Sequence, residues 1–196
     1  MMVLLLSVSA CDEGGGSDDA ASDGAVRDTY DVEEGTCIFD VSESEAAEQA
    51  AVHHEEMGFW IWECTFDQGY YWEAANVIQL EFWSSRGMVA EPGVYPLAGD
   101  GYADCGLCLL LREGCLNLDG LADCEADHFA VAGEVEITEI GVVGETISGT
   151  IRDAHLVETW IDWESGSFDS EPVPGGATWC IEEWDFEAEV VAYPIR

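Results

Sequence analysis

The chain has 196 residues, 48% apolar and 11% aromatic, too many for a chain disordered throughout. That length suits one domain, or two very small ones, and a domain of this size buries roughly 70% of its unfolded surface. Forty-two acidic residues face five arginines (Arg27, Arg86, Arg112, Arg152, Arg196) and no lysine, a net charge of −37 that repels nucleic acid and anionic headgroups.

The first eleven residues, Met1-Met2-Val-Leu-Leu-Leu-Ser-Val-Ser-Ala-Cys11, carry an apolar run too short to cross a bilayer, which takes about 20 residues. Residues 1–10 read as the apolar part of a signal peptide. No Lys or Arg precedes the run as such a signal requires, which points to a true start upstream of Met1. Val8-Ser9-Ala10-Cys11 resembles a bacterial lipobox: small residues admit the signal peptidase, and the Cys11 thiolate takes up diacylglycerol. The resemblance implies a lipoprotein of the cell envelope, lipid-anchored through Cys11 to the outer membrane or to the periplasmic face of a membrane. At about 0.8 kcal/mol per buried CH2, two or three acyl chains hold such an anchor. Residues 11–25, rich in Gly, Ser and Asp, read as a flexible acidic tether, and residues 26–196 as a single disulfide-stabilised β domain.

Within that domain most segments alternate apolar and polar residues, as half-buried strands do. A strand is expected at 36–41. Ser42-Glu-Ser-Glu45 then matches a capping box, and Ala46 to Met57 holds helix formers ended by Gly58, so one short peripheral helix is expected. His53, His54, Glu55 and Glu56 would form its solvated face. Adjacent histidines on a helix point about 100° apart and chelate poorly.

A strand over 59–65 opens an aromatic-rich stretch with Trp60, Trp62, Tyr71 and Trp72, followed by Phe82 and Trp83. Alternation sets Phe59 and Ile61 opposite Trp60 and Trp62, so one face packs inward. If the other is open, Trp60, Trp62, Tyr71 and Trp72 are candidates for stacking on sugar rings or on a protein partner. The simpler reading is that these rings fill a core.

Later strands are expected at 78–82, 93–97, 107–112, 129–138, 146–151, 155–163 and 180–190. Phe129, Val131, Val135 and Ile137 share one predicted face, as do Cys180, Trp184, Phe186, Ala188 and Val190. Gly141 to Gly144 reads as a hairpin turn. The sum is an all-β fold, an antiparallel β-sandwich or Greek-key barrel with at most one helix.

Eight cysteines occur. With Cys11 lipidated, an odd set remains as disulfide candidates in an oxidising compartment: Cys37, Cys64, Cys105, Cys108, Cys115, Cys124 and Cys180. The middle four are expected to staple locally, with Cys37 or Cys64 tied to Cys180, each bridge contributing about 2–4 kcal/mol. A redox role for Cys105-x-x-Cys108 is disfavoured, because the residues that follow read as a strand and not as the helix start that activates such pairs. A zinc site is disfavoured by the wide Cys115–Cys124 spacing. Asp119, Asp123, Glu125 and Asp127 make an oxygen-rich loop that suits calcium, though His128 stands where a calcium-binding loop of the helix–loop–helix kind needs Gly. Solvated acids are the simpler account there. No other metal site and no cofactor is expected, and no nucleophile or phosphate-binding motif occurs.

The stretch Gly93-Val-Tyr-Pro-Leu-Ala-Gly-Asp-Gly-Tyr-Ala-Asp-Cys105-Gly-Leu-Cys108, with Ile147-Ser-Gly-Thr-Ile151 and Val173-Pro-Gly-Gly-Ala177, resembles uncharacterised cysteine-containing lipoproteins of myxobacteria. The likeness covers roughly residues 93–181. It implies location and disulfides, and carries over no catalytic residue. The function expected is a non-enzymatic binding or structural module, with a glycan or an envelope protein as partner. The alternative is a secreted glycan hydrolase working through carboxylates.

The charge imbalance makes a direct prediction. Because salt screens self-repulsion, the melting temperature should climb from low to high NaCl; a flat or falling trend would contradict this account.

Overall fold

The computed structural model describes residues 39–41, 46–66, 75–88, 90–97, 101–116 and 124–193. Ten strands run through it: β1 (Phe39–Asp40), β2 (Ala46–His54), β3 (Phe59–Phe66), β4 (Ala75–Trp83), β5 (Gly93–Pro96), β6 (Leu107–Cys115), β7 (Ala126–Ile140), β8 (Thr146–Ile161), β9 (Ser170–Pro172) and β10 (Thr178–Ala192). Among the described residues one 3-10 turn occurs, Ser84–Arg86, after β4. The all-β expectation is met.

Antiparallel pairing runs from β2 through β3, β4, β6, β7 and β8 to β10. The last strand then lies beside β2, so the pairings close on themselves as in a barrel. Seven strands alternating up and down around a ring must leave one neighbouring pair parallel, and that seam is β10 against β2, with Val190 opposite Ala51. β1 also lies parallel to β10, Asp40 facing Cys180. The wholly antiparallel expectation yields at this seam.

The predicted helix is a strand. Ala46 to His54 pairs along β3, Ala51 opposite Trp62 and His53 opposite Trp60. An alanine-faced helix has little to bury. As a strand, Ala51 is buried opposite Trp62, and tertiary burial overrides local propensity. Gly58, expected to stop the helix, instead closes the β2–β3 turn at φ 62°, its N–H donating to the His54 carbonyl. His53 is accordingly not on a solvated face: it is buried and stacked on Trp60, ring centroids 4.0 Å apart.

Inside the ring lie Trp62, Phe66, Ile78, Leu80, Phe82, Leu109, Leu111, Val135, Ile147, Ile151, Ile181 and Phe186, one continuous apolar core. A second, smaller cluster sits outside the wall of β6 and β7: Leu110 and Phe129 packed with Tyr102, Cys105, Cys108 and Ile161.

Two predicted faces are split by this arrangement. On β7, Phe129 packs in the outer cluster with Val131 against it, whereas Val135 and Ile137 point inside. On β10, Trp179 and Ile181 point inward and so do Trp184 and Phe186, which puts Cys180 on the other side from Trp184. The cause is a break in alternation shared by three strands. Gly133 of β7 has φ 118°, its register with β8 shifts there, and Asp153 of β8 sits at φ 49° beside it. Glu182 and Glu183 of β10, both exposed, take up the same step. A side chain at position 133 would come within 2.6 Å of the Ala154 Cα.

Gly133→Ala therefore meets both a left-handed backbone and a backbone clash. It should cost about 2–4 kcal/mol in denaturant unfolding; a loss below about 0.5 kcal/mol would show that the step is not built on this glycine.

Candidate functional site

On the outer face of β4, Gln79, Glu81 and Trp83 alternate with the inward Ile78, Leu80 and Phe82. Such a face is ordinarily wet. Here the 101–106 turn covers it, and Glu81 is left only 2% exposed. Three donors converge on that carboxylate: Gln79 Nε2 at 2.6 Å to Oε1, with Trp83 Nε1 and the Tyr102 hydroxyl each at 2.8 Å to Oε2. Burial pushes the Glu81 pKa above the ordinary carboxylate value, and the Trp83 and Tyr102 hydrogen bonds with the Arg86 and Arg112 charges pull it back only in part. The Tyr102 hydroxyl is driven up by its own burial and by Glu81. Neither group is exposed to act on a substrate.

Arg86 closes the other side of this cluster. Its guanidinium lies 4.6 Å from the Trp83 ring centroid and 5.4 Å from that of Tyr102. Nη1 donates to the Tyr102 carbonyl at 2.8 Å and to the Cys105 carbonyl at 3.3 Å, and reaches both sulfurs of the Cys105–Cys108 disulfide. The outer face thus carries a closed set of glutamate, tyrosine, arginine and disulfide.

The local stapling expected of the clustered cysteines is present as Cys105–Cys108 and Cys115–Cys124. Cys180 is disulfide-bonded too. Cys64 is a free thiol inside the barrel, its pKa pushed up to about 11 by burial. Cys64 therefore does not pair with Cys180.

The remaining candidates scatter. Cys11, Cys37, Tyr71, Trp72, Asp119 and Asp123 lie outside the described residues. Trp62 is fully buried in the core and offers no ring to solvent. Trp60 is half-buried, sandwiched against His53, and its indole N–H donates to the Gly141 carbonyl at 3.1 Å. Glu125 is exposed. Asp127 commits one oxygen to Arg112 Nε at 2.9 Å and the other to Trp163 Nε1 at 2.8 Å. Among the described residues no group of three or more His, Cys, Asp or Glu side chains is placed to hold a metal. Among the described residues the exposed tryptophans are Trp160, 57% exposed, and Trp163, 38% exposed. Trp163 rests on Tyr102 and on the Arg112 guanidinium.

The ends of the barrel differ. At one end Phe39 of β1 pairs with Trp179 at the start of β10. At the other end three elements meet: Trp60 Nε1 bonds Gly141 of the β7–β8 turn, Gly144 N–H bonds the Val190 carbonyl, and Tyr193 N–H bonds the His53 carbonyl. Exposed apolar side chains gather on that end, with Met57 on the β2–β3 turn, Val142 and Val143 on the β7–β8 turn, and Val191 and Tyr193 at the end of β10. Exposed Glu55, Glu56, Glu145 and Glu189 surround them in sequence.

Sequence reasoning missed Glu81, Tyr102 and Arg86 because the polar residues of β4 alternate as on any wet face. The available signal was the strand itself, where Gln79 and Glu81 stand among four large apolar residues (Ile78, Leu80, Phe82, Trp83).

No family model matches the chain, and no curated protein and no solved structure matches it.

Glu63 on β3 gives a pH prediction. Its pKa is raised by burial, with the Arg112 charge lowering and the Glu81 charge raising it. A carboxyl raised in the folded state holds its proton longer there, so its contribution falls as pH climbs from the unfolded value through the folded one. Glu63→Gln should raise the melting temperature at pH 7.5 and leave it nearly unchanged at about pH 3, below both the folded and the unfolded value. Equal effects at both pH values would remove titration as the cause.

Proposed function

We propose that this protein is a lipid-anchored, non-enzymatic binding module of the cell envelope. The lipobox-like Cys11, the disulfides and the acidic surface agree with export and display. The observation that carries the binding reading is the two-ended barrel. The apolar tips Met57, Val142, Val143 and Val191 stand exposed at the end of the barrel opposite the Phe39–Trp179 pairing. The interior is filled by aromatic and aliphatic side chains, so ligands are met on the outside. Apolar tips among glutamates suit a protein or glycan contact that brings its own positive charge.

The hydrolase alternative requires a carboxylate pair open to substrate. Glu81, a carboxylate whose pKa burial raises, is shut beneath Tyr102.

Two measurements test the proposal. Labelled palmitate should enter the full chain, expressed behind a complete leader, and Cys11→Ser should abolish it and release the protein from the membrane fraction. A photo-cross-linking residue at position 142 should capture envelope components that one at position 160, on the opposite end, does not. Absence of labelling removes the anchor; equal capture at both positions removes the distal contact surface.

A further inference from the structure

We infer that Cys105–Cys108, although followed by strand β6 and not by an activating helix start, is a thiol–disulfide exchange site with Arg86 supplying the charge, set to take electrons from a dithiol partner while the fold stays intact. The site is arranged for both redox states. Cys105 Sγ lies 3.1 Å from the Tyr102 carbonyl, and Cys108 Sγ 3.1 Å from the Cys105 carbonyl. Once the bond opens, each thiol finds an acceptor where it already stands. Arg86 Nη1 lies 3.9 Å from Cys105 Sγ and 3.8 Å from Cys108 Sγ, a fixed positive charge beside whichever sulfur becomes a thiolate. The guanidinium is held by stacking on Trp83 and Tyr102 and by two carbonyls, so it stays in place when the sulfurs part.

Opening this bond also costs the fold less than opening its neighbour. The cysteines are 3 apart in sequence, against 9 for Cys115–Cys124, and a shorter loop confines the unfolded chain less. The turn has other ties: Trp83 N–H donates to the Gly106 carbonyl at 2.8 Å, and Tyr102 N–H to Ser170 Oγ at 2.8 Å.

Both cysteines are buried, but Cys105 is the less completely covered residue, 7% exposed against none for Cys108, so the attack is assigned to Cys105. A partner thiolate attacks Cys105 Sγ, the S–S bond breaks, and Cys108 departs as a thiolate beside Arg86. The partner is then joined to Cys105 as a mixed disulfide. Its second thiolate attacks its own sulfur in that bond and frees Cys105. Two electrons and two protons pass to this pair, and the partner dithiol becomes a disulfide.

Glutathione serves as the probe. The purified full chain is equilibrated across reduced-to-oxidised glutathione ratios, thiols are trapped by alkylation and assigned by peptide mass, and the fold is followed by near-ultraviolet circular dichroism. Cys105–Cys108 should pass from disulfide to dithiol within that range, with the spectrum unchanged and Cys115–Cys124 still joined. Arg86→Gln should need a buffer more reducing by about tenfold in the equilibrium ratio, roughly 30 mV for a two-electron couple, and Arg86→Lys should stay near the wild type. Cys108→Ala should form a glutathione adduct at Cys105, a readout that does not depend on the arginine variants folding. The inference is overturned if the pair stays oxidised wherever the fold holds, if it opens only together with unfolding, if Arg86→Gln titrates as wild type, or if no adduct forms at Cys105.

Discussion

Closure of the ring by its last strand is the constraint on which the rest of the structure depends. β10 is held along most of its length by β8, from Thr178 opposite Val157 to Glu189 opposite Thr146. On its other side it is held by short parallel contacts with β1 and β2. Between those contacts Gln49 replaces a ladder bond, its Oε1 accepting from the Glu187 N–H at 3.1 Å. An odd ring cannot avoid one parallel seam, and this chain places it where the first and last strands meet. That seam makes one core of residues more than a hundred positions apart, with Trp62 of β3 against Phe186 of β10, ring centroids 5.0 Å apart.

A fold closed in this way separates its two faces completely, which lets it carry so much charge of one sign. On β10 the inward positions Trp184, Phe186 and Val190 are buried, while Asp185, Glu187 and Glu189 stand outside in water. Such carboxylates pay no desolvation and are screened within about 10 Å at ordinary salt. Where a carboxylate is drawn under cover, the structure supplies donors: three side chains for Glu81, and for Asp127 an arginine and an indole.

Strand existence was legible because period-two alternation is local. The helix expected at Ala46–Met57 shows the limit of that signal: helix formers and a capping box describe the segment alone, and its strand conformation depends on β3. The split faces of β7 and β10 show a second limit. Alternation read along one strand assumes an unbroken pleat, and the step at Gly133 and Asp153 is visible only when three strands are laid side by side. The outer cluster was hidden for a related reason. Glu81, Arg86, Tyr102 and Cys105 belong to separate segments, and nothing within any one of them reveals that the 101–106 turn lies over β4. Cysteine spacing did better. A pair three apart and a pair nine apart can each close without help from the rest of the fold, and both did.

The arginines bring charge and topology together. With five positive side chains against forty-two acids, general neutralisation is beyond them. The three among the described residues, Arg86, Arg112 and Arg152, are each placed where acids or sulfurs of different segments converge. Arg152 of β8 bridges Glu136 of β7 at 2.7 Å and Glu183 of β10 at 3.3 Å, across the line where the pleat steps. These contacts are at least a third exposed and contribute little energy by themselves. Without them, though, three neighbouring strands would present like charges to one another at the point where their backbones already depart from regular geometry. Arg112 ties β6 to β7 through Asp127 and supports Trp163 from below. Arg86 faces the disulfide and the Glu81 cluster together. Its charge offsets the buried carboxylate, and the same charge would favour a thiolate at Cys108. Should the disulfide open, a Cys108 thiolate and an ionised Glu81 would draw on the same cation.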